Sequence, residues 1–169
     1  MRHTNYLVLI AISALPLVGG CTPVSRETGQ QVFDRTVHEY HLPSAEAQGA
    51  EHDKLLAQAA TGYEQVLKLA GQDRHLAASA LRSLANVRAE QGRLDEAVKL
   101  YSQVGRQYTG YDWEVLQSWK SAADLLWDSN RQTEAAAFYR QIVQRFASSP
   151  SPIMQTVARA ASRRVQGVS

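Results

Sequence analysis

The chain repeats itself with a step of 38 residues. Ala59, Tyr63 and Val66 return as Ala97, Tyr101 and Val104, and again as Ala135, Tyr139 and Ile142. Within each triplet the spacing of four and then three puts the side chains on one stripe of a helix. A small residue lets two helices approach, and an aromatic and an aliphatic fill the space beside it. Upstream a second stripe repeats at the same step, Leu81, Leu84, Ala85 and Arg88 against Trp119, Ala122, Ala123 and Leu126. Gly92 and Asn130 stand at the same place between the two stripes, and both residue types adopt the left-handed conformation that ends a helix. Each unit is therefore a helix–turn–helix hairpin. A hairpin of this size cannot bury its apolar face by itself and has to stack on the next one, so the period constrains the fold more than any local propensity does. The competing reading, a bundle of six or seven helices with accidental periodicity, requires nine triplet positions to agree at one offset by chance.

These residues resemble the tetratricopeptide repeat. The family's pattern is a large residue, Leu followed by Gly or Ala, an aromatic, a turn Gly, and an Ala with an aromatic four positions on. Leu81, Leu84, Ala85, Gly92, Ala97 and Tyr101 meet it, and Trp119, Ala123, Leu126, Ala135 and Tyr139 meet it again. Arg88 departs from it where an aromatic is preferred, as do Val104 and Ile142 where Ala is preferred. The step of 38 also exceeds the usual repeat of about 34 residues. Because Ala85 to Ala97 and Ala123 to Ala135 are both 12 apart, as in the family, the additional residues are expected between units, around residues 105–112. Lengthened spacing of this kind is similar to that of repeats in bacterial envelope proteins.

The resemblance covers about residues 74–166. It implies an all-α fold, a short right-handed helical-hairpin solenoid of about two full repeats with capping half-repeats. At the front, Pro43 and Glu46 occupy the positions a partner helix would need, so residues 44–70 read as one long capping helix with Ser44 as N-cap. At the back, Val157, Ala160, Ala161 and Arg164 match a first helix with no second, introduced by Pro150 and Pro152.

Ahead of the array lies an address. Residues 1–5 carry Arg2 and no acid, and residues 6–18 form an apolar run broken by Ser13 and Pro16, the pattern of a secretory signal peptide over residues 1–20. A membrane-spanning helix needs about 20 apolar residues, more than this run offers. It closes in Val18-Gly19-Gly20-Cys21, which resembles the bacterial lipoprotein box, where a peptidase cuts before a cysteine that becomes acylated. Cys21 is the sole cysteine of the chain, so no intramolecular disulfide exists to account for it. Stable anchoring takes more than one acyl chain, each buried methylene adding about 0.8 kcal/mol. Thr22 rather than Asp after the cysteine, by resemblance to enteric lipoproteins, favours the outer membrane, with the protein facing the periplasm.

Residues 21–43 then read as a lipidated N-terminus, a polar linker with Pro23 and Gly29, and a short docking helix with Val32, Phe33, Thr36, Val37 and Tyr40 on one face. Residues 44–169 read as the helical domain.

A net charge of +2 without a clustered Lys/Arg face argues against nucleic acid. No Gly-rich phosphate loop, Gly-x-Ser-x-Gly elbow, His-Glu-x-x-His or Cys-x-x-Cys occurs, so neither catalysis nor a cofactor is expected. His38 and His41 with His52 nearby are a weak metal motif and read as solvated linker.

In the resembled family the first helices of successive hairpins line a concave groove for peptides or partner helices. Carried over residue by residue, those positions are Ser79, Arg82, Asn86 and Glu90, then Gln117, Lys120, Asp124, Trp127 and Asp128. Arg82 and Asn86 face the same way and resemble half of a carboxylate clamp, which Asp124 and Asp128 oppose. Trp127 is an interface anchor if it faces the groove and core packing if it does not. Tyr108, Tyr111 and Trp113 form a second aromatic group, either a contact surface or packing between repeats.

The expected function is thus a membrane-tethered periplasmic adaptor that binds a protein of an envelope assembly machine. The alternatives are an accessory of a cell-wall or metal-dependent enzyme using His38 and His41, and a homo-oligomer whose groove takes the acidic 22–53 segment of a neighbour.

Overall fold

The structure, a computed structural model that describes residues 27–167, opens on a reciprocal cap. The Gln31 amide donates to the Thr28 hydroxyl, while the Thr28 amide donates to the Gln31 side chain. Helix α1 (Gly29–Thr36) starts there, passes through a π-helical turn at Val37–His41 and continues as α2 (Leu42–Ser44), so the three make one rod. Then follow α3 (Gly49–Leu69), α4 (Arg74–Glu90), α5 (Leu94–Gln107), α6 (Asp112–Asp128), α7 (Gln132–Phe146) and α8 (Pro152–Gln166). No strand occurs among the described residues. Each helix packs on its neighbours in the chain, α4 also reaching α6, which is the nearest-neighbour order of a helical-hairpin solenoid.

The repeating stripes are the core. Ala59, Tyr63 and Val66, then Ala97, Tyr101 and Val104, then Ala135, Tyr139 and Ile142 are all buried, and so are Leu81, Leu84, Ala85, Ala122, Ala123 and Leu126. Gly92 and Asn130 both take positive φ, 74° and 59°, and end α4 and α6 as the sequence predicts. In each hairpin the stripe tyrosine also reaches its partner helix. Tyr63 Oη lies 2.7 Å from His41 Nδ1, Tyr101 Oη donates to Asn86 over 2.7 Å, and Tyr139 Oη donates to Asp124 over 2.7 Å.

Two expectations need correction. Residues 44–70 are not one helix, and Ser44 is not an N-cap: it is buried at the end of the rod, its hydroxyl donating to the His41 carbonyl over 2.6 Å. The chain turns at residues 45–48, and α3 begins at Gly49, whose φ of +57° lets the backbone reverse. The turn is needed because the rod has an apolar face to bury against α3. Val32 and Thr36 are fully buried, with Phe33, Val37 and Tyr40 packed beside them. The front of the array is therefore a complete hairpin, and residues 29–43 belong to the folded body.

The second correction concerns residues 105–112. The link between α5 and α6 is only residues 108–111, as short as the link at 70–73. Residues 105–107 and 112 on either side of it belong to α5 and α6, so half of the stretch expected between units is helix. The expectations for residues 1–20 and for Cys21 fall outside the described residues.

Helix approach is closest at two glycines. A Cβ on Gly62 of α3 would stand 2.2 Å from Thr36 Oγ1, and one on Gly105 of α5 would stand 2.1 Å from Trp119 Nε1. The open ends of the hairpins repeat too. Arg74 donates to the Gln107 carbonyl over 2.5 Å, and one step on Arg145 pairs with Asp112 over 2.6 Å, so positions 74 and 107 become 112 and 145.

Burial pushes the Tyr63 and Tyr101 hydroxyls up from the ordinary 10 to about 12. Tyr139 is raised as well, by burial first and then by the Asp124 carboxylate that accepts its proton. A folded pKa above the unfolded one means that the native state keeps a proton the unfolded chain has lost. The stabilisation is complete below the unfolded value and disappears as pH rises through the folded one. Above about pH 10 the protein is therefore expected to lose helix in step with late ionisation of Tyr63 and Tyr101, and later still of Tyr139. Circular dichroism and tyrosinate absorbance followed together check this. Ionisation of all seven tyrosines near pH 10 with helix intact would contradict it.

Candidate functional site

Two successive first helices carry equivalent polar stripes, Arg82, Asn86 and Glu90 on α4 and Lys120, Asp124 and Asp128 on α6. Their spacing of four keeps each set on one face. The structure uses the two sets differently.

On α4 the side chains are engaged within the fold. Arg82 Nε donates to Glu114 Oε2 over 2.5 Å, and Ser79 donates to Glu114 Oε1 over 3.1 Å. Glu114, in the first turn of α6, is only 4% exposed, so this pair ties α4 to α6. Asn86 accepts from Tyr101, and Glu90 lies 3.3 Å from His41 Nε2 of the first hairpin. Arg82 and Asn86, the pair resembling half of a clamp, are thus each engaged within the fold, Arg82 through Nε and Asn86 through its side-chain oxygen. Sequence reasoning missed Glu114. Its signal was weak, a lone carboxylate at a helix start where an exposed acid complementing the helix dipole is the usual finding.

On α6 the stripe opens into a groove of about 390 Å³ between α6, α7 and α8. Lys120, Asp124, Trp127 and Asp128 line it, four of the residues expected from sequence, while Gln117 lies one turn earlier on α6. The floor is apolar, Ile142 of α7 with Val157, Ala160 and Ala161 of α8. Lys120 donates to Asp124 Oδ2 over 2.5 Å, and Tyr139 donates to Asp124 Oδ1, so Asp124 is held from two sides. Asp128 is exposed and has no ion pair among the described residues.

Trp127 resolves into both of its readings. It is partly buried against the third hairpin's core, its ring 6.1 Å from that of Tyr139 and inclined at 65°. Its other side forms groove wall, with the Arg164 guanidinium 4.7 Å above the ring. Such a contact is worth about 0.5–1 kcal/mol at an exposed site. Arg164 enters through the match of α8 to a first helix, in which its position is that of Leu126. The groove therefore has an apolar floor, an aromatic wall, and one uncompensated charge of each sign at its rim.

The second aromatic group divides. Tyr108 lies under the Arg74 guanidinium at 5.2 Å and Tyr111 against His75 at 5.5 Å, both between hairpins. Trp113 is 48% exposed. The three histidines of the weak motif stand apart: His41 contacts Tyr63 and Glu90, His52 donates to the Ser44 carbonyl over 2.9 Å, and His38 is exposed. Among the described residues no three His, Cys, Asp or Glu side chains gather into a metal site.

The family model of the tetratricopeptide repeat matches residues 52–112, from α3 to the start of α6. No curated protein and no solved structure matches the chain. The match and the stacked hairpins together support a tetratricopeptide-repeat protein, a kind of repeat that generally mediates protein–protein interaction.

Proposed function

We propose that this protein is a lipid-anchored adaptor of the bacterial envelope, acylated at Cys21 and held at the outer membrane facing the periplasm. Its groove along α6, α7 and α8 binds a segment of a protein from an assembly machine, one for outer-membrane protein insertion, for pilus or secretion-channel building, or for cell-wall coordination. The observation that carries the binding reading is the groove: an apolar floor under the Trp127 ring, flanked by Lys120 and Arg164 on one hand and Asp128 on the other. Apolar concavities with a few convergent polar groups are typical ligand sites, and a rigid aromatic at the edge is a typical anchor. The tether reading rests on the apolar run before Cys21. No helix among the described residues is long and apolar enough to cross a membrane, so on this reading the lipid carries the attachment.

In-cell photo-crosslinking tests the groove, with the reactive residue placed at Asp128 on its rim and, as control, at Gln141 on the outer side of α7. One foreign protein is expected to add at position 128, its yield falling roughly tenfold in a Trp127→Ala background. Equal adducts from both positions would overturn the groove as the binding site. In the same cells Cys21→Ser is expected to leave the membrane fraction and lose its acyl mass. A Cys21→Ser protein that stays with the membrane would refute the tether.

A further inference from the structure

The two ends of the array carry opposite charge. From residue 27 to 53 there are six carboxylates, Glu27, Asp34, Glu39, Glu46, Glu51 and Asp53, against Arg35, a balance of −5. Helix α8 has Arg159, Arg163 and Arg164 and no acid, a balance of +3. Many charges elsewhere are paired: Arg82 with Glu114, Arg88 with Glu64, Arg131 with Asp95, Arg145 with Asp112. At the acidic end Glu27 pairs with Arg35 and Glu51 with Lys54, but the charges around Leu42 and on the outer face of α8 are unpaired. Glu39 and Glu46 are exposed with no ion-pair partner among the described residues, and the same holds for Arg140, Arg159 and Arg163. Arg159 reaches only the Thr156 hydroxyl.

Each end also has an apolar feature inside its ring of charge. On the first rod Leu42 is 59% exposed, with Glu39 one turn before it and Glu46 just after the helix. At the other end α7 and α8 leave a cleft of about 430 Å³, with Val143 and Val165 in its wall, Arg140 on one rim, and Arg159 and Arg163 on the α8 surface beside Ser162. One end presents an apolar knob among carboxylates and the other an apolar cleft among guanidiniums. The two patches are complementary in shape class and in charge, and they lie on opposite ends of one chain.

We propose that the occupant of the α7–α8 cleft is the α1–α2 rod of a second copy of this chain, with Leu42 entering the cleft while Glu39 and Glu46 meet Arg140, Arg159 and Arg163. A contact between two different surfaces of identical molecules does not close on itself after two copies unless the rotation allows it, so it extends into short head-to-tail rows. Exposed charges drive it, and it is therefore strongest at low ionic strength. The groove with Trp127 is not part of it.

Sedimentation velocity on the full chain in mild detergent, corrected for bound detergent, tests the proposal. From low to high micromolar concentration at about 0.01 M salt, the weight-average mass is expected to at least about double, and to return to monomer at about 1 M salt. Arg159→Glu with Arg163→Glu, or Glu39→Lys with Glu46→Lys, should each keep the chain monomeric with its helix content unchanged. Mixing the two variants restores association, because each retains the surface the other has lost. Trp127→Ala should associate as the parent does, which separates this contact from the adaptor groove. A mass independent of concentration, association by either charge variant by itself, or a mixture that stays monomeric would overturn it.

Discussion

Replacing Gly62 with alanine is expected to lower the unfolding free energy by about 2 kcal/mol, although alanine in mid-helix normally gains about 1 kcal/mol over glycine. The reversal follows from contact geometry. The added methyl would lie 2.2 Å from Thr36 Oγ1, 2.6 Å from its Cγ2 and 2.9 Å from its Cβ. Thr36 cannot swing aside easily, because it is β-branched and fully buried, and its hydroxyl donates to the Val32 carbonyl over 2.6 Å. What yields is the approach of α1 to α3, and with it the burial of Val32 and Phe33. Urea unfolding followed by circular dichroism checks this, with a fall in melting temperature of roughly 4–8 °C expected alongside. Thr36→Ala in the same chain removes two of the three clashing atoms and should recover part of the loss. A more stable Gly62→Ala protein would mean that the rod does not sit this close to α3.

The larger loss is expected from Phe146→Ala, about 3–5 kcal/mol out of a total that for domains of this kind is about 5–15 kcal/mol. Phe146 is 1% exposed at the end of α7, its ring 6.2 Å from that of Trp119 and 5.4 Å from the Arg145 guanidinium. It shares its cluster with Met154, Val157 and Ala158 of α8, so the cavity would open where the terminal helix is held. Because each hairpin touches only its neighbours, the damage should stay near that end. Hydrogen exchange is expected to show α7 and α8 amides losing protection well before those of α3. A uniform loss along the chain would show instead that the array unfolds as one cooperative unit.

The middle of the array was readable because its determinants are local and periodic. The triplet from Ala97 to Val104 and that from Ala135 to Ile142 each fix a helix face, and Gly92 and Asn130 fix where the chain turns back. The first hairpin obeys the same physics but escapes the register. Helix α3 has 21 residues against 14 in α5, so it starts two turns earlier and displaces its partner by seven residues. The tyrosine bonds record the same shift, 22 positions from His41 to Tyr63 but 15 from Asn86 to Tyr101. The regular offset therefore falls on Pro43 and Glu46, which sit at the end of the rod and in the turn after it.

The site was legible in part for a related reason. A match by position identifies a face, and Lys120, Asp124, Trp127 and Asp128 do share one. Whether a polar group on that face is free depends on what stands across from it. Glu114 opposite Arg82, and Tyr101 opposite Asn86, are three-dimensional facts that spacing along one helix does not contain.

The repeating closures and links bear on how such a chain can change. Positions 74 and 107 close the open end of the second hairpin and positions 112 and 145 that of the third, with equal links at 70–73 and 108–111. An in-frame duplication of residues 74–111 would meet surfaces that already fit it before and behind. Misfits arise only at the new seam: Leu81 stands in place of Trp119 opposite the first copy of Gly105, which leaves a gap rather than a clash, and Leu76 stands in place of Glu114 opposite the first copy of Arg82, which costs that ion pair. The number of rungs is thus free to drift by whole units over generations, while the spacing of each rung, and the wall that Trp127 builds at the last one, are inherited unchanged.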